Sequence, residues 1–229
     1  MSSNHSKSPA AVPVALAAPA STDLPSLTQP PVRGSATLAA CARWLLARLH
    51  WRVAFEGLPG PRGVVIVYPH TSNWDFIVGL LAKWAMRAPF RWIGKESLFR
   101  GITGATLGRL MRLWGGRPVD RHQASGAVEQ LAALMNSEPW FWLALSPEGT
   151  RKHQDHLRSG FYHLARRMDV PLGLAYIDYT TRTVGVQHFV RLTGDEAGDL
   201  AGLARFYADK RGHHPEQASA IAFRDKRNP

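Results

Sequence analysis

The sequence is short of cysteine, acidic residues and long apolar runs. Cys41 is the single cysteine among 229 residues, so no disulfide can form within the chain, as is usual in a reducing compartment such as the cytoplasm. No stretch of about 20 uninterrupted apolar residues occurs, which argues against a membrane-spanning helix. Zinc-ligand spacings, RNP-type aromatic patterns and lysine or arginine tracts are also missing, which argues against a nucleic-acid-binding module.

The shortage of acidic residues leaves a strongly basic chain. Lysine and arginine number 28 against 17 aspartate and glutamate, and the formal charge is +11. Such a charge attracts polyanionic surfaces. Because the basic residues are spread among tryptophans and apolar runs, we expect a membrane lipid surface as partner and no nucleic acid. Nucleic-acid binding is an alternative that rests on charge alone, and salt-dependent DNA retention without lipid binding would favour it.

The chain is long enough for one domain with a sizeable core, since 45% of its residues are hydrophobic. Residues 1–35 are rich in Ala, Pro and Ser, and prolines interrupt their only apolar stretch. We therefore predict a disordered leader rather than an export signal. Residues 36–215 form the predicted domain, and residues 216–229 form a basic C-terminal tail.

The first predicted helix, residues 37–51, is basic and amphipathic. One broad face carries Leu38, Cys41, Leu45 and Leu49. That face is suited either to packing against the core or to burial in the headgroup layer of a membrane. The pattern leaves both interpretations open.

Strand and helix patterns alternate after this helix. The β-branched run at 64–68 predicts a strand buried on both faces, followed by a helix over 73–87. Further strands are predicted near 90–93, 140–145, 171–179 and 183–189, and further helices near 103–113, 125–136, 161–167 and 195–210. This alternation predicts an α/β fold with a twisted, mostly parallel sheet flanked by helices, and a site beyond the carboxyl ends of strands.

HTSNWD, residues 70–75, occupies the turn between the first of these strands and its helix. His70 and Asp75 would lie about 140° apart on a continuous helix, but in a turn they can meet. Asp75 would then accept a hydrogen bond from one ring nitrogen and leave the other free to take a proton. An isolated pair of this spacing is more often a helix cap beside a surface histidine. Whether His70 and Asp75 are a catalytic pair therefore depends on the other motifs in the chain.

SPEGTR, residues 146–151, follows a strand that is predicted to be buried. Glu148 can hold a substrate hydroxyl and Arg151 can grip a phosphate with two hydrogen bonds. Gly149 allows a backbone conformation that other residues avoid. An ordinary turn with a surface ion pair is the simpler interpretation.

Two further segments carry isolated cations. GGRPVDR, residues 115–121, has the glycines and proline of a loop and offers Arg121 as a phosphate ligand or as a solvated arginine. GKES, residues 94–97, offers Lys95 as a point charge for phosphate.

In order along the chain, these motifs resemble the series of the glycerolipid acyltransferase family, which includes 1-acylglycerol-3-phosphate acyltransferases. VPLGLAYID, residues 170–178, completes the series, and the resemblance runs over about residues 64–180. It implies transfer of a fatty acyl group from acyl-CoA or acyl carrier protein to a hydroxyl of a lysophospholipid such as 1-acylglycerol-3-phosphate. It also implies a ternary complex without an acyl-enzyme, and peripheral attachment to the cytoplasmic side of the cell membrane.

The resemblance assigns roles to individual residues. His70 and Asp75 match the catalytic pair. The residues that match acceptor-binding positions are Lys95, Arg121, Glu148, Gly149, Thr150 and Arg151. No metal or tightly held cofactor is expected, since the thioester donor is a co-substrate.

Departures from the family pattern bear on the acceptor. Arg117 and Pro118 stand where the family usually has apolar residues, and Ser146 stands where it usually has Phe. Arg117 either favours a more anionic acceptor or faces solvent. The alternatives are therefore acylation of a lyso-ornithine lipid or another metabolite, or lipid binding without turnover. The presence of all four of His70, Asp75, Glu148 and Arg151 argues against the last, since a site without turnover need not retain them.

Overall fold

The computed structural model describes residues 24–32, 34–95, 106, 108–119 and 126–224. Its helices are α1 (Ala36–Arg48), α2 (Trp74–Met86), α3 (Arg109–Leu113), α4 (Ala127–Asn136), α5 (Gly160–Arg167) and α6 (Glu196–Tyr207). Its strands are β1 (Arg52–Phe55), β2 (Arg62–Val67), β3 (Phe90–Lys95), β4 (Gly116–Val119), β5 (Phe141–Leu145), β6 (Leu172–Asp178) and β7 (Thr183–Val190). A short 3₁₀-helix, Pro215–Gln217, follows α6.

The strands form one seven-stranded sheet in the order β1-β7-β6-β2-β5-β3-β4. The five strands from β6 to β4 run parallel, whereas β7 is antiparallel to β6 and β1 is parallel to β7. A tight turn suffices between β6 and β7 because antiparallel neighbours need no crossover. The predicted α/β fold with a mostly parallel sheet flanked by helices is confirmed.

The sequence patterns did not predict either edge strand of the sheet, β1 or β4. β1 is four residues long and follows α1 after a short turn, so its pattern merged with that of the helix. β4 lies within GGRPVDR, where glycine and proline indicated a loop, and that expectation was wrong for Gly116–Val119. Pro118 is tolerated because an edge strand has neighbours on one side only.

The sheet is covered on both faces, as its continuous apolar strands require. Val64 and Ile66 of β2 belong to a buried cluster with α4, α5 and α6. The intervening Val65 and Val67 point to the other face, where Val67 contacts a cluster formed by α1, α2 and β6. β2 is thus central to both cores, which fixes the position of the turn that follows it.

The packing face of α1 differs from the predicted one. Ala39, Ala42 and Leu46 are buried, whereas the predicted apolar face is exposed at Leu38, Cys41, Leu45 and Leu49. Small side chains let α1 approach α2 closely, and Arg43 Nη1 donates to the Ala85 carbonyl at 3.0 Å. α1 therefore packs on the core and also presents apolar side chains to solvent. Within the described ranges, none of the helices is long and apolar enough to cross a membrane.

The folded part extends beyond both predicted domain boundaries. Thr28 pairs with Leu58 through two backbone hydrogen bonds of 2.9 Å, although the predicted leader runs to residue 35. At the other end of the chain, residues 208–224 are here called the C-terminal segment. Ala222, which lies in the predicted tail, accepts a hydrogen bond from the Leu157 backbone N–H at 2.7 Å. Long-range pairing of this kind leaves no local sequence signal.

Gly63 of β2 provides a test of core packing. A Cβ at this position would overlap the indole ring of Trp142, its partner on β5. We expect Gly63→Ala to lower the free energy of unfolding by about 1–3 kcal/mol, because overfilling a packed core forces strain. Gly160→Ala, at the start of α5, is the control because no heavy atom lies within 4 Å of its added Cβ. Urea unfolding that shows equal effects would contradict this account.

Candidate active site

The predicted catalytic pair lies in the turn after β2 and the first residues of α2, residues 68–75, which are here called the catalytic turn. β2 ends at Val67, α2 begins at Trp74, and the sheet presents the carboxyl ends of its parallel strands here. His70 Nδ1 lies 3.1 Å from Asp75 Oδ2, and the His70 side chain is 21% exposed against 1% for Asp75. The turn thus brings the two side chains together and leaves the imidazole open to solvent.

Four donors among the described residues hold Asp75. Besides His70, its Oδ2 accepts the backbone N–H groups of Thr71 at 2.8 Å and Ser72 at 2.9 Å, and its Oδ1 accepts the Tyr179 hydroxyl at 2.8 Å. Burial alone would raise the pKa of Asp75, but the hydrogen bonds from His70, Ser72 and Tyr179 outweigh it and lower that pKa. The carboxylate is therefore ionised and fixed, as an orienting group requires.

Sequence reasoning missed Tyr179. It directly follows β6, and β6 pairs with β2, so the two strand ends lie side by side. Burial and the bond to Asp75 raise the pKa of Tyr179, which keeps its hydroxyl protonated as a donor. The one available signal was a polar aromatic residue at the carboxyl end of a predicted parallel strand.

Glu148 lies beneath His70 rather than in the open site. Its Oε2 accepts the His70 backbone N–H at 2.6 Å, and its Oε1 accepts the Ser219 backbone N–H at 3.0 Å. The residue is 2% exposed, and burial raises the pKa of its carboxyl group. In this arrangement Glu148 fixes the backbone of the turn, and its expected contact with a substrate hydroxyl stays a prediction.

The remaining residues of SPEGTR lie on the turn after β5. Gly149 has φ +67°, and a Cβ there would overlap the Arg158 guanidinium, so both the conformation and the space favour glycine. Thr150 Oγ1 accepts the Lys152 backbone N–H at 3.3 Å. Arg151 is exposed and lines a cleft beside the catalytic turn.

The other predicted cations are not all described. Arg121 lies outside the described residues, and only the backbone of Lys95, at the end of β3, is described. Arg117 makes an ion pair with Glu138 at 2.9 Å, and Arg91 contacts the same carboxylate at 2.6 Å. The extra arginine of the second motif is therefore committed to a protein carboxylate.

This geometry agrees with the comparison with known families. The family model described as Acyltransferase matches residues 52–175 of the 229. The chain belongs to the glycerolipid acyltransferase family. Its activity is therefore acyl transfer, as the motif series indicated. No curated protein matches the chain.

The acyltransferase completes its site from outside the matched region. Tyr179, which donates to Asp75, lies beyond residue 175, and so does Ser219, which donates to Glu148. Gly212 brings the C-terminal segment against the catalytic turn, where an added Cβ would lie 2.6 Å from Thr71 Oγ1. The supports of the catalytic pair thus come from both parts of the chain.

Tyr179→Phe tests whether the hydroxyl positions Asp75. We expect kcat to fall about 10- to 150-fold with little change in either KM, because the lost bond is to the charged Asp75 and such a bond is worth about 1.5–3 kcal/mol. Tyr176→Phe is the matched control on β6, the strand that Tyr179 follows, since the Tyr176 hydroxyl contacts Gln187 at 3.4 Å instead. Steady-state kinetics in which both variants lose the same activity would contradict the positioning role.

Proposed function

We propose that this acyltransferase moves a fatty acyl group from acyl-CoA or acyl carrier protein to a hydroxyl of a lysophospholipid, such as 1-acylglycerol-3-phosphate, in phospholipid biosynthesis. The observation that carries the proposal is the 3.1 Å contact between His70 Nδ1 and Asp75 Oδ2 in a turn that leaves the imidazole accessible. The acceptor class is supported by the exposed Arg151 beside that turn and by the motif series.

The reaction uses the acceptor's own hydroxyl as nucleophile. His70 Nε2 takes the hydroxyl proton while Asp75 holds the other ring nitrogen and stabilises the imidazolium. The acceptor oxygen forms a bond to the thioester carbonyl carbon, and the carbon–sulfur bond breaks. The leaving thiolate receives the proton from His70, so the products are one ester and one thiol, and no acyl-enzyme forms.

Release of free thiol from palmitoyl-CoA tests the proposed reaction. The acceptors are lysophosphatidic acid, other lysophospholipids and lyso-ornithine lipid, with acyl carrier protein as the second donor. We expect acceptor-dependent release that falls at least 10²–10⁴-fold in His70→Ala, the usual contribution of a general base. His163→Ala, at an exposed histidine on α5, is the control.

Each outcome of that assay assigns a function. Release with lysophosphatidic acid that His70→Ala abolishes supports the proposal. Release with lyso-ornithine lipid alone would replace the acceptor and keep the reaction. No release with either donor would favour lipid binding without turnover, and undiminished release by His70→Ala would exclude His70 as the base.

The same proposal places the enzyme peripherally on the cytoplasmic side of the cell membrane. Apolar side chains are exposed on α1, directly after it and at the start of α2, and they are here together called the apolar surface: Leu38, Trp44, Leu45, Leu49, Trp74 and Ile77. Trp44 is 63% exposed and Trp74 62%. Trp74 also lines the cleft beside the catalytic turn, so the apolar surface adjoins the site. Tryptophan and leucine beside basic residues favour the headgroup layer of an anionic membrane.

Trp44→Glu combined with Leu45→Glu tests this attachment. We expect at least tenfold weaker binding to vesicles of phosphatidylglycerol and phosphatidylcholine, because two apolar contacts are lost and two acidic charges face the anionic surface. Gln130→Glu combined with Ala133→Glu adds the same charges to exposed positions of α4, on the opposite face of the sheet. If both double variants lost the same amount of vesicle binding in a co-sedimentation assay, net charge alone would explain the effect, and α1 would be excluded as the part that contacts the membrane.

A further inference from the structure

A cleft of about 320 Å³ lies beside the catalytic turn. Several of the residues that line it have not yet been assigned a role. Residues 71–74, directly after His70, line the cleft together with Arg151 from the turn after β5. The other lining residues are His213, His214 and Gln217 of the C-terminal segment, here called the histidine wall. These three residues lie outside the region that matches the family. The cleft is called the histidine cleft below.

The two histidines are held in place by the catalytic turn itself. The His214 backbone N–H donates to Thr71 Oγ1 at 3.1 Å. The His213 ring lies with its centroid 4.9 Å from that of Tyr179, edge to face, and Tyr179 in turn donates to Asp75. The position of the histidine wall is therefore coupled to the position of the catalytic pair.

In the tautomer arrangement in which His214 donates to His213, the pair leaves a ring N–H for a ligand. His213 Nδ1 and His214 Nε2 are 3.0 Å apart, so one ring donates to the other. When His214 donates, the remaining proton of His213 is on Nε2, which has no partner among the described residues. Arg151 also lacks an ion pair within the described part of the chain.

The wall chemistry selects for an anion. Guanidinium, imidazole, hydroxyl and amide groups of described residues line the cleft, and none of its described lining residues is a carboxylate. The nearest acidic group recorded against the histidines is Glu216, whose Oε1 is 3.8 Å from His214 Nδ1 and which does not line the cleft. Arginine with several neutral donors is the combination that binds phosphate with directed hydrogen bonds.

We propose that the histidine cleft binds a phosphate group during acyl transfer, with His213 and His214 as ligands beside Arg151. The inference rests on the proposed function and names the part of the chain that recognises the substrate's phosphate. That phosphate belongs either to the acceptor headgroup or to the carrier arm of the donor. Because residues 71–74 follow His70 directly, a phosphate in the cleft lies next to the base.

The test replaces both histidine side chains with glutamine. His213→Gln combined with His214→Gln retains the backbone bond from residue 214 to Thr71. His163→Gln, at an exposed histidine of α5 that does not line the cleft, is the matched control. Calorimetric titration with glycerol 3-phosphate, against glycerol as the uncharged comparison, measures phosphate binding without turnover. We expect about tenfold weaker binding in the double variant and none of this loss in the control.

Kinetics then distinguish the two sources of phosphate. A rise of about tenfold in the KM for lysophosphatidic acid alone assigns the cleft to the acceptor, and the same rise in the KM for palmitoyl-CoA alone assigns it to the donor. A fall in kcat with both KM values unchanged would overturn the proposal, because it would make the histidines structural supports of Tyr179. Unchanged glycerol 3-phosphate binding would overturn it as well.

Arg151→Gln is a second test that remains valid if the double variant misfolds. The Arg151 side chain is exposed and makes no ion pair with the described residues, so its loss should not disturb folding. This substitution should weaken glycerol 3-phosphate binding by a similar factor, and unchanged binding would count against the cleft. The proposed reaction fails separately. Phosphate binding in the cleft without thiol release would reject acyl transfer to these acceptors and retain the phosphate site. Thiol release with unchanged KM values in the variants would retain acyl transfer and reject the phosphate site.

Discussion

The buried carboxylate of Glu148 joins three segments that are far apart in sequence. One oxygen accepts from His70 after β2, the other accepts from Ser219 in the C-terminal segment, and the residue itself follows β5. Burying a carboxylate is costly unless its oxygens are hydrogen-bonded, and both of these bonds form only when the three segments are in place. The position of the His70 backbone therefore depends on an interaction that need not touch any substrate.

Asp75 is a second buried carboxylate whose hydrogen bonds hold the chain in place, here between residues that are close in sequence. Its side chain folds back over its own turn and accepts from Thr71 and Ser72, which places Oδ2 against the His70 ring. The short aspartate side chain fits this return, whereas a glutamate would carry its carboxylate about one bond further. The hydrogen bond from Tyr179 adds the long-range part. The imidazole is thus oriented by a carboxylate whose direction and charge state are both fixed.

Much of the fold could be predicted because β2, β5 and β6 are continuous apolar strands, which is the pattern of a parallel sheet covered on both faces. The contact between His70 and Asp75 could be predicted because both residues lie within six consecutive residues where a strand leads into a helix. The packing face of α1 could not. Periodicity records where apolar side chains lie, but close contact between α1 and α2 selected the small residues Ala39 and Ala42 instead. Tertiary packing overrode the larger apolar stripe.

The residues that sequence reasoning missed act across long separations and have no local motif. Tyr179 is 104 residues from Asp75, and Ser219 is 71 residues from Glu148. The family region thus supplies His70 and the carboxylate of Asp75 that orients it, while the C-terminal segment supplies supports and, in our proposal, residues that contact phosphate. Under that proposal, the residues that bind the phosphate differ from the pair that carries the chemistry. The departure at Arg117 bears less on the acceptor, since Arg117 makes an ion pair with Glu138.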